Sequence, residues 1–355
     1  MRLAAVLLLS VTALAQWQPQ ESHTPESLRG VSVFNQSMVW ASGTHGTYLF
    51  STDGTTWTAA QVPGAESLDF RGVKSYGFDA FLLASGPGDK SRIYYTPYLG
   101  KHWDLQFTNS DPKGFFDCMA FFDPSFAKPL RGIIVGDPVN GRFQILRTVN
   151  GGKTWQYSDP QKMPPALDGE GAFAASNTCA TTIGKKNAWF VTGGTAARVF
   201  RSTDGGKSWK VSSTPILHGT PSQGIFSIAF HDARHGVICG GDYQHPEQSG
   251  ANLATTDDGG KTWKLVPASQ QKFFSAIAYV SGDVASNSIV AVGSHVSGFS
   301  TDGLQSWQFF SATGFNAADS KMGIVYAVGS DGRIARAQLG TCGLACVMRV
   351  ESKAQ

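Results

Sequence analysis

Ser202-Thr203-Asp204-Gly205-Gly206-Lys207-Ser208-Trp209 is the stretch from which the fold can be read, because it recurs. Residues 148–155 read TVNGGKTW, 255–263 read TTDDGGKTW and 300–307 read STDGLQSW. Residues 51–57 read STDGTTW, one residue short, and 96–103 read TPYLGKHW, with Tyr98 in place of the carboxylate. The closing tryptophans stand at 57, 103, 155, 209, 263 and 307, so the spacings are 46, 52, 54, 54 and 44. A period of about 40–55 residues with one aromatic per unit is the signature of a β-propeller.

The motif has a local physical task. Ser or Thr, then Asp or Asn two residues on, then Gly, suits a hairpin whose side-chain oxygens bind the turn's own N–H groups. Gly supplies the positive φ, and the Trp ring drops between neighbouring sheets. These segments closely resemble the Asp-box, or BNR, repeat. Asp53, Asn150, Asp204, Asp258 and Asp302, with Trp57, Trp155, Trp209, Trp263 and Trp307, are therefore expected to be structural.

Working outward, each repeat contains an apolar run ending near Gly: Val39–Gly43, Phe81–Gly86, Gly132–Gly136, Trp189–Gly193, Gly236–Gly240 and Ile289–Gly293. Val325–Gly329 is a seventh copy. A shorter run precedes each, as in Leu28-Arg29-Gly30-Val31, so one unit reads strand A, strand B, strand C, Trp-ended turn, strand D. Seven B strands against six turns leave one outer strand missing. Trp17-Gln18-Pro19-Gln20, which resembles the stretch after each turn, is expected to supply it beside Arg333–Ala337, closing the ring and removing its open edge. The fold class is all-β: a seven-bladed propeller of four-stranded antiparallel blades, at about 46 residues per blade. Its expected extent is 16–340, after a signal peptide (1–15) and before a C-terminal tail (341–355).

Composition agrees. Of 355 residues 41 are Gly, against a usual ~7%, and hydrophobic residues make up 41%. Charged residues are only 15% and the net charge is +3, too little to argue for nucleic acid or an anionic membrane. Collagen, coiled coil, polytopic membrane protein and disulfide-dense miniprotein are excluded. Met1-Arg2, the apolar run Leu3–Leu14 and Ala13-Leu14-Ala15 form a secretory signal expected to be cut near Ala15. Its roughly 13 apolar residues fall short of the ~20 that span a bilayer. The expectation is an exported, periplasmic or secreted monomer with no transmembrane segment. Cys118, Cys179 and Cys239, in strand-like runs, read as buried thiols. Cys342 and Cys346 either close a small loop or stay free.

The D–A and B–C loops converge on one face around the channel, opposite the Trp-ended turns. Long insertions fall there, at 159–171, 214–224 and 241–250, which favours that face for binding. Aligning strands A at their opening apolar residue puts Arg29, Arg71, Asp117, Ala174, Ser227, Ser275 and Asn316 around the mouth. The adjacent arginines suit a carboxylate or another anion on a partner; equally, they could pair with Asp69 or Asp117. The B–C corners add His45, Asp137, Asp242, His245 and His295, with Glu170 on a D–A loop. Converging carboxylates would suit the acid and base of glycoside cleavage; Gly136-Asp137-Pro138 and Gly241-Asp242-Tyr243 are also ordinary turn sequences. The histidines have no metal spacing, and neither metal nor cofactor is expected.

The length, the opening Leu28-Arg29-Gly30-Val31 and the repeated Gly-Gly-Lys-Thr/Ser-Trp turns resemble the photosystem II stability/assembly factor family. The resemblance implies a non-catalytic scaffold that binds a protein partner through an arginine-rich face. Only Arg29 and Arg71 carry that over; later blades have Asp117, Ser227, Ser275 or Asn316. Sialidases share the turns, and imply a carbohydrate ligand and hydrolysis. Their N-terminal Arg-Ile-Pro element is absent, and no arginine triad or Tyr–Glu pair is evident.

Overall fold

The computed structural model describes residues 17–122, 131–267, 272–280, 288–311 and 313–338. The expected signal segment, residues 1–15, and the tail with Cys342 and Cys346 lie outside them. Among the described residues the chain forms seven antiparallel sheets, the expected seven-bladed propeller. Blade 1 comprises Leu28–Val33, Val39–Gly43, Thr47–Ser51 and Thr58–Gln61 from the channel outward. Blades 2, 3, 4 and 6 repeat this order, with first strands Phe70–Tyr76, Phe116–Phe121, Ala180–Ile183 and Ala276–Tyr279. Blade 5, whose first four-strand member is Gln223–Phe230, carries two added short strands, Glu170–Gly171 and Gly193–Gly194. They come from the 159–171 insertion and the blade 4 corner, and no periodicity announced them.

Blade 7 closes the ring as the strand count required. Ala317–Lys321, Ile324–Val328 and Ile334–Gln338 come from the end of the propeller, and Gln18–Gln20 is the outer strand. The register pairs Gln18 with Arg336, Pro19 with Ala335 and Gln20 with Ile334. Pro19, lacking an N–H, sits on an edge, where the ladder tolerates it.

The cores lie between blades. Alternation on each strand sends side chains to both sheet faces, so every blade is buried on two sides. One cluster joins blades 7 and 1 through Leu28, Leu49, Trp57 and Tyr326; another joins blades 6 and 7 through Val292, Phe315 and Trp17. The turns do what their composition dictates. Asp204 Oδ1 accepts from the backbone N of Lys207 (2.9 Å) and Ser208 (3.0 Å), while Ser202 Oγ accepts from Gly206 N (2.9 Å). Gly205 and Gly206 sit at φ +80° and +77°. Asp53, Asn150, Asp258 and Asp302 repeat the bonding. Trp57, Trp155, Trp209 and Trp263 are buried, and Trp307 is half-buried.

Two of the three cysteines read as thiols are instead a disulfide: Cys118 and Cys179 pair at a Cα separation of 6.0 Å, and Cys239 remains a buried free thiol. Cys118 lies on the first strand of blade 3 opposite Val135, and Cys179 immediately precedes that of blade 4, where its carbonyl accepts from Val191 N at 3.0 Å. Strand-level reading could not bring them together, because 61 residues separate them.

Candidate functional site at the channel

The ladders between first and second strands shift register between Leu28 and Gly30, Phe70 and Gly72, Phe116 and Cys118, and Ile225 and Ser227. The skipped residues are Arg29, Arg71, Asp117 and Phe226. A bulge re-aims the side chain at its extra residue, which places these four at the channel mouth. Blade 5 therefore offers Phe226, not Ser227. In blade 4 the counterpart is Thr178, because Cys179 faces Val191 as Cys118 faces Val135. Ala174 lies four residues earlier, in a detour that sequence alignment mistook for the strand.

That detour, residues 172–178, crosses the mouth. Its bonds reach blade 2 (Arg71 Nη1 to Ala174 O, 3.0 Å) and blade 3 (Met119 N to Asn177 Oδ1, 2.8 Å). On the far side they reach blade 5 (Thr178 Oγ1 to Ser227 Oγ, 2.7 Å) and blade 6 (Ser176 Oγ to Ser275 O, 2.9 Å). Phe173 stacks on Phe226 at 3.9 Å. A Cβ on Gly72 would stand 2.6 Å from Asn177 Oδ1, so glycine is what lets the plug approach that closely. Ser176 and Asn177 went unnoticed in sequence, since nothing about Ser-Asn marks a plug.

With the plug in place, the other ring residues are bonded to their neighbours. Ser227 is buried, and its Oγ accepts from Ile277 N at 3.0 Å. Ser275 Oγ donates to Asn316 O at 2.8 Å, and Asn316 Nδ2 to Leu28 O at 2.8 Å. These three staple blade to blade. Arg29, Arg71 and Asp117 form the charged part of the rim. Arg71 Nε pairs with Asp69 Oδ2 at 2.8 Å, as the structural alternative held. Arg29 is half-buried, and its Nε has no partner. Burial and then the neighbouring Arg71 lower its pKa. Asp117 is 1% exposed, and neither carboxylate oxygen has a hydrogen-bond partner. Burial pushes its pKa well up; nearby Asp137 adds to this, and Arg71 opposes it. Asp137 is likewise raised by burial, against one bond from Ala172 N at 2.9 Å.

The loop carboxylates do not assemble into an acid–base pair. Glu170, with a fully buried side chain, takes Arg198 Nε at 2.9 Å on Oε1 and Arg198 Nη2 on Oε2. Thr192 Oγ1 (2.6 Å) and Leu167 N (2.9 Å) complete its shell, so no oxygen is left for a substrate. It lines a surface depression with Asp137 but is turned into the protein. Asp242 is buried; that burial raises its pKa but is outweighed by bonds from His245, Ser222, Gln244 N and Gln223, and it settles at about 2. A group so acidic does not hold a proton to donate near neutral pH. His245 is exposed and serves Asp242 at 3.0 Å. His45 is exposed against Glu26 at 2.7 Å, which raises its pKa, and His295 bonds Ser294 Oγ at 2.9 Å. Among the described residues no group of three His, Cys, Asp or Glu is arranged to hold a metal.

Beyond the plug, the rest of the channel is a blind cavity of about 670 Å³ toward the face of the Trp-ended turns, with Ser176, Asn177 and Thr178 in its wall. None of the site residues expected from sequence lies at its lysine-bearing end. Its signal was Lys74 and Asp319–Lys321, polar residues late in otherwise apolar first strands.

In sequence, the profile of the DUF6242 beta propeller domain matches residues 4–237. No curated protein matches the chain. Among solved structures it is similar to YCF48 bound to D1 peptide, with a TM-score of 0.65 and 16% identity over 93% of this chain and 99% of that one. YCF48 from Cyanidioschyzon merolae gives 0.57 and 18%, over 91% and 98%. Virginiamycin B lyase from Staphylococcus aureus gives 0.63 and 11%, over 92% and 100%. At these identities the likeness is one of fold. No described helix is long and apolar enough to cross a membrane.

Proposed function

The chain belongs to the DUF6242 beta propeller domain family, and from that premise we propose that it is an exported, non-catalytic scaffold binding a protein partner in the manner of photosystem II assembly factors. The observations that support this reading are the bulges at Arg29 and Arg71 in successive blades and the absence of a hydrogen-bond partner for Arg29 Nε. Arginine forks suit carboxylates on a partner chain. The similar YCF48 structure holds a D1 peptide, which supports a peptide-binding use of this architecture. The side-chain bonding of the turns supports their reading as Asp boxes. The Cys118–Cys179 disulfide fits the oxidising compartment that the N-terminal signal implies. Glycosidase chemistry is disfavoured by Glu170, whose oxygens are all taken, and by the low pKa of Asp242.

The test is a pull-down from periplasmic extract followed by binding to the captured partner. Arg29→Ala with Arg71→Ala should leave the fold intact and weaken binding by about 2–5 kcal/mol if the arginines meet buried charges. Asp204→Ala should lower stability and leave affinity unchanged. An unaffected arginine double variant, with binding abolished in a stable Asp204→Ala protein, would invert the functional face.

A further inference from the structure

We propose that the blind cavity beyond the plug binds a small organic anion, a carboxylate, sulfonate or phosphate head on an apolar body, entering from the face of the Trp-ended turns. This site lies on the side opposite Arg29 and Arg71 and does not depend on the scaffold reading.

The cavity's size, about 670 Å³, lies within the range that encloses most of a small molecule. Its walls mix apolar side chains, Val33, Val73, Ala180, Ala229 and Ala318 among them, with a substantial polar share. Such a composition gives an apolar body its burial and leaves orientation to the polar groups.

The polar groups select the charge. Lys74 and Lys321 both line the cavity and are half-buried, and among the described residues neither forms an ion pair. The carboxylate in the same wall, Asp319, is already committed: Oδ2 accepts from Val33 N at 2.8 Å and Oδ1 from Ser320 N at 2.9 Å. Tyr76 and Ser320 also line the cavity, but their hydroxyl oxygens are buried away from its open space, so the choice of charge rests on the two lysines. Exposed His231, its ring 5.5 Å from that of Tyr279, adds an imidazole to the lining. Unpaired cations in a cleft with low-dielectric walls focus a positive potential inside it. Unpaired ammonium groups call for an acceptor with negative charge, and the apolar walls call for a carbon body behind it.

Titration calorimetry on the full chain with cinnamate, naphthalene-2-sulfonate and phenyl phosphate, each against an uncharged analogue, tests this. At least one anion should bind saturably, about tenfold or more tighter than its neutral counterpart, and Lys74→Met with Lys321→Met should weaken it by at least about tenfold. Arg29→Ala, which makes no bond to the plug, should leave that affinity unchanged. Should the lysine variant not fold, the wild type still decides: raising salt from about 50 to 500 mM should weaken the anion and spare the neutral analogue. The proposal is overturned if no anion saturates below about 10 mM, if the neutral analogue binds equally well, or if the arginine variant abolishes binding while the lysine variant retains it.

Discussion

Trp17 and Gln20 carry the seam of the ring through two separate sets of contacts, so the closure can be dissected by substitution. Trp17 is 9% exposed, with its ring 5.1 Å from that of Phe315 in the core between blades 6 and 7. Emptying a buried tryptophan site costs about 3–5 kcal/mol. Gln20 reaches the other way: its Oε1 takes Trp57 Nε1 at 2.7 Å and its Nε2 donates to Gly54 O at 3.0 Å, stapling the seam to the first turn. Trp57 is only 3% exposed, so Gln20→Ala leaves a buried indole N–H without an acceptor, at a cost of about 1–3 kcal/mol. Because Trp17 packs between blades 6 and 7 and Gln20 bonds Trp57 of blade 1, the double variant should lose about the sum, roughly 4–8 kcal/mol. Equilibrium guanidinium unfolding followed by circular dichroism gives these differences, and Trp17→Phe should recover most of the first. If Trp17→Ala unfolded within about 0.5 kcal/mol of the wild type, the N-terminal strand would not be seated and the argument for closure would fail.

Three further outcomes follow from the described contacts. Loss of the Cys118–Cys179 bridge, by Cys118→Ala with Cys179→Ala, frees a 61-residue separation and should lower unfolding stability by about 4 kcal/mol; equal denaturation midpoints would contradict it. Asp117 has a raised native pKa, so its favourable contribution is complete below the unfolded value of about 3.9 and disappears as pH climbs through the native one. Asp117→Asn should therefore raise the melting temperature at pH 8 and lose that advantage toward pH 4, and a gain that instead grew toward acid would refute the shift. Asp302 has the opposite sign: the bonds from Ser306 Oγ and N hold its pKa near 2, so its stabilisation is present above about 3.9 and lost as pH falls toward 2. Acid melts of Asp302→Asn should accordingly be flatter than wild type between those values.

The repeat period, the turn chemistry and the closing strand were legible in the sequence because each is local or periodic. Asp204 binds N–H groups three and four residues away, so its role is written in eight consecutive residues. The B strands are continuous apolar runs because they are buried on both faces, and counting them against the turns was enough to assign Trp17–Gln20. Arg29 and Arg71 fall at the skipped positions of two successive bulges, in blades that keep the repeat without insertion.

Partnership was decided only in three dimensions. Cys118 and Cys179 are ordinary apolar-strand cysteines until two adjacent first strands bring them together. Glu170 looked available on its loop, yet Arg198, 28 residues later, folds back to take it. Ser227 missed the mouth by one position because a single bulge moved Phe226 there, and Ala174 missed it because residues 172–178 leave the repeat to cross the channel. The sequence by itself determined the blade, whose energetics rest on near neighbours in the chain. The tertiary structure decided which end of the channel is plugged and which lysines face the remaining space, because that arrangement depends on side chains from seven blades meeting on one axis.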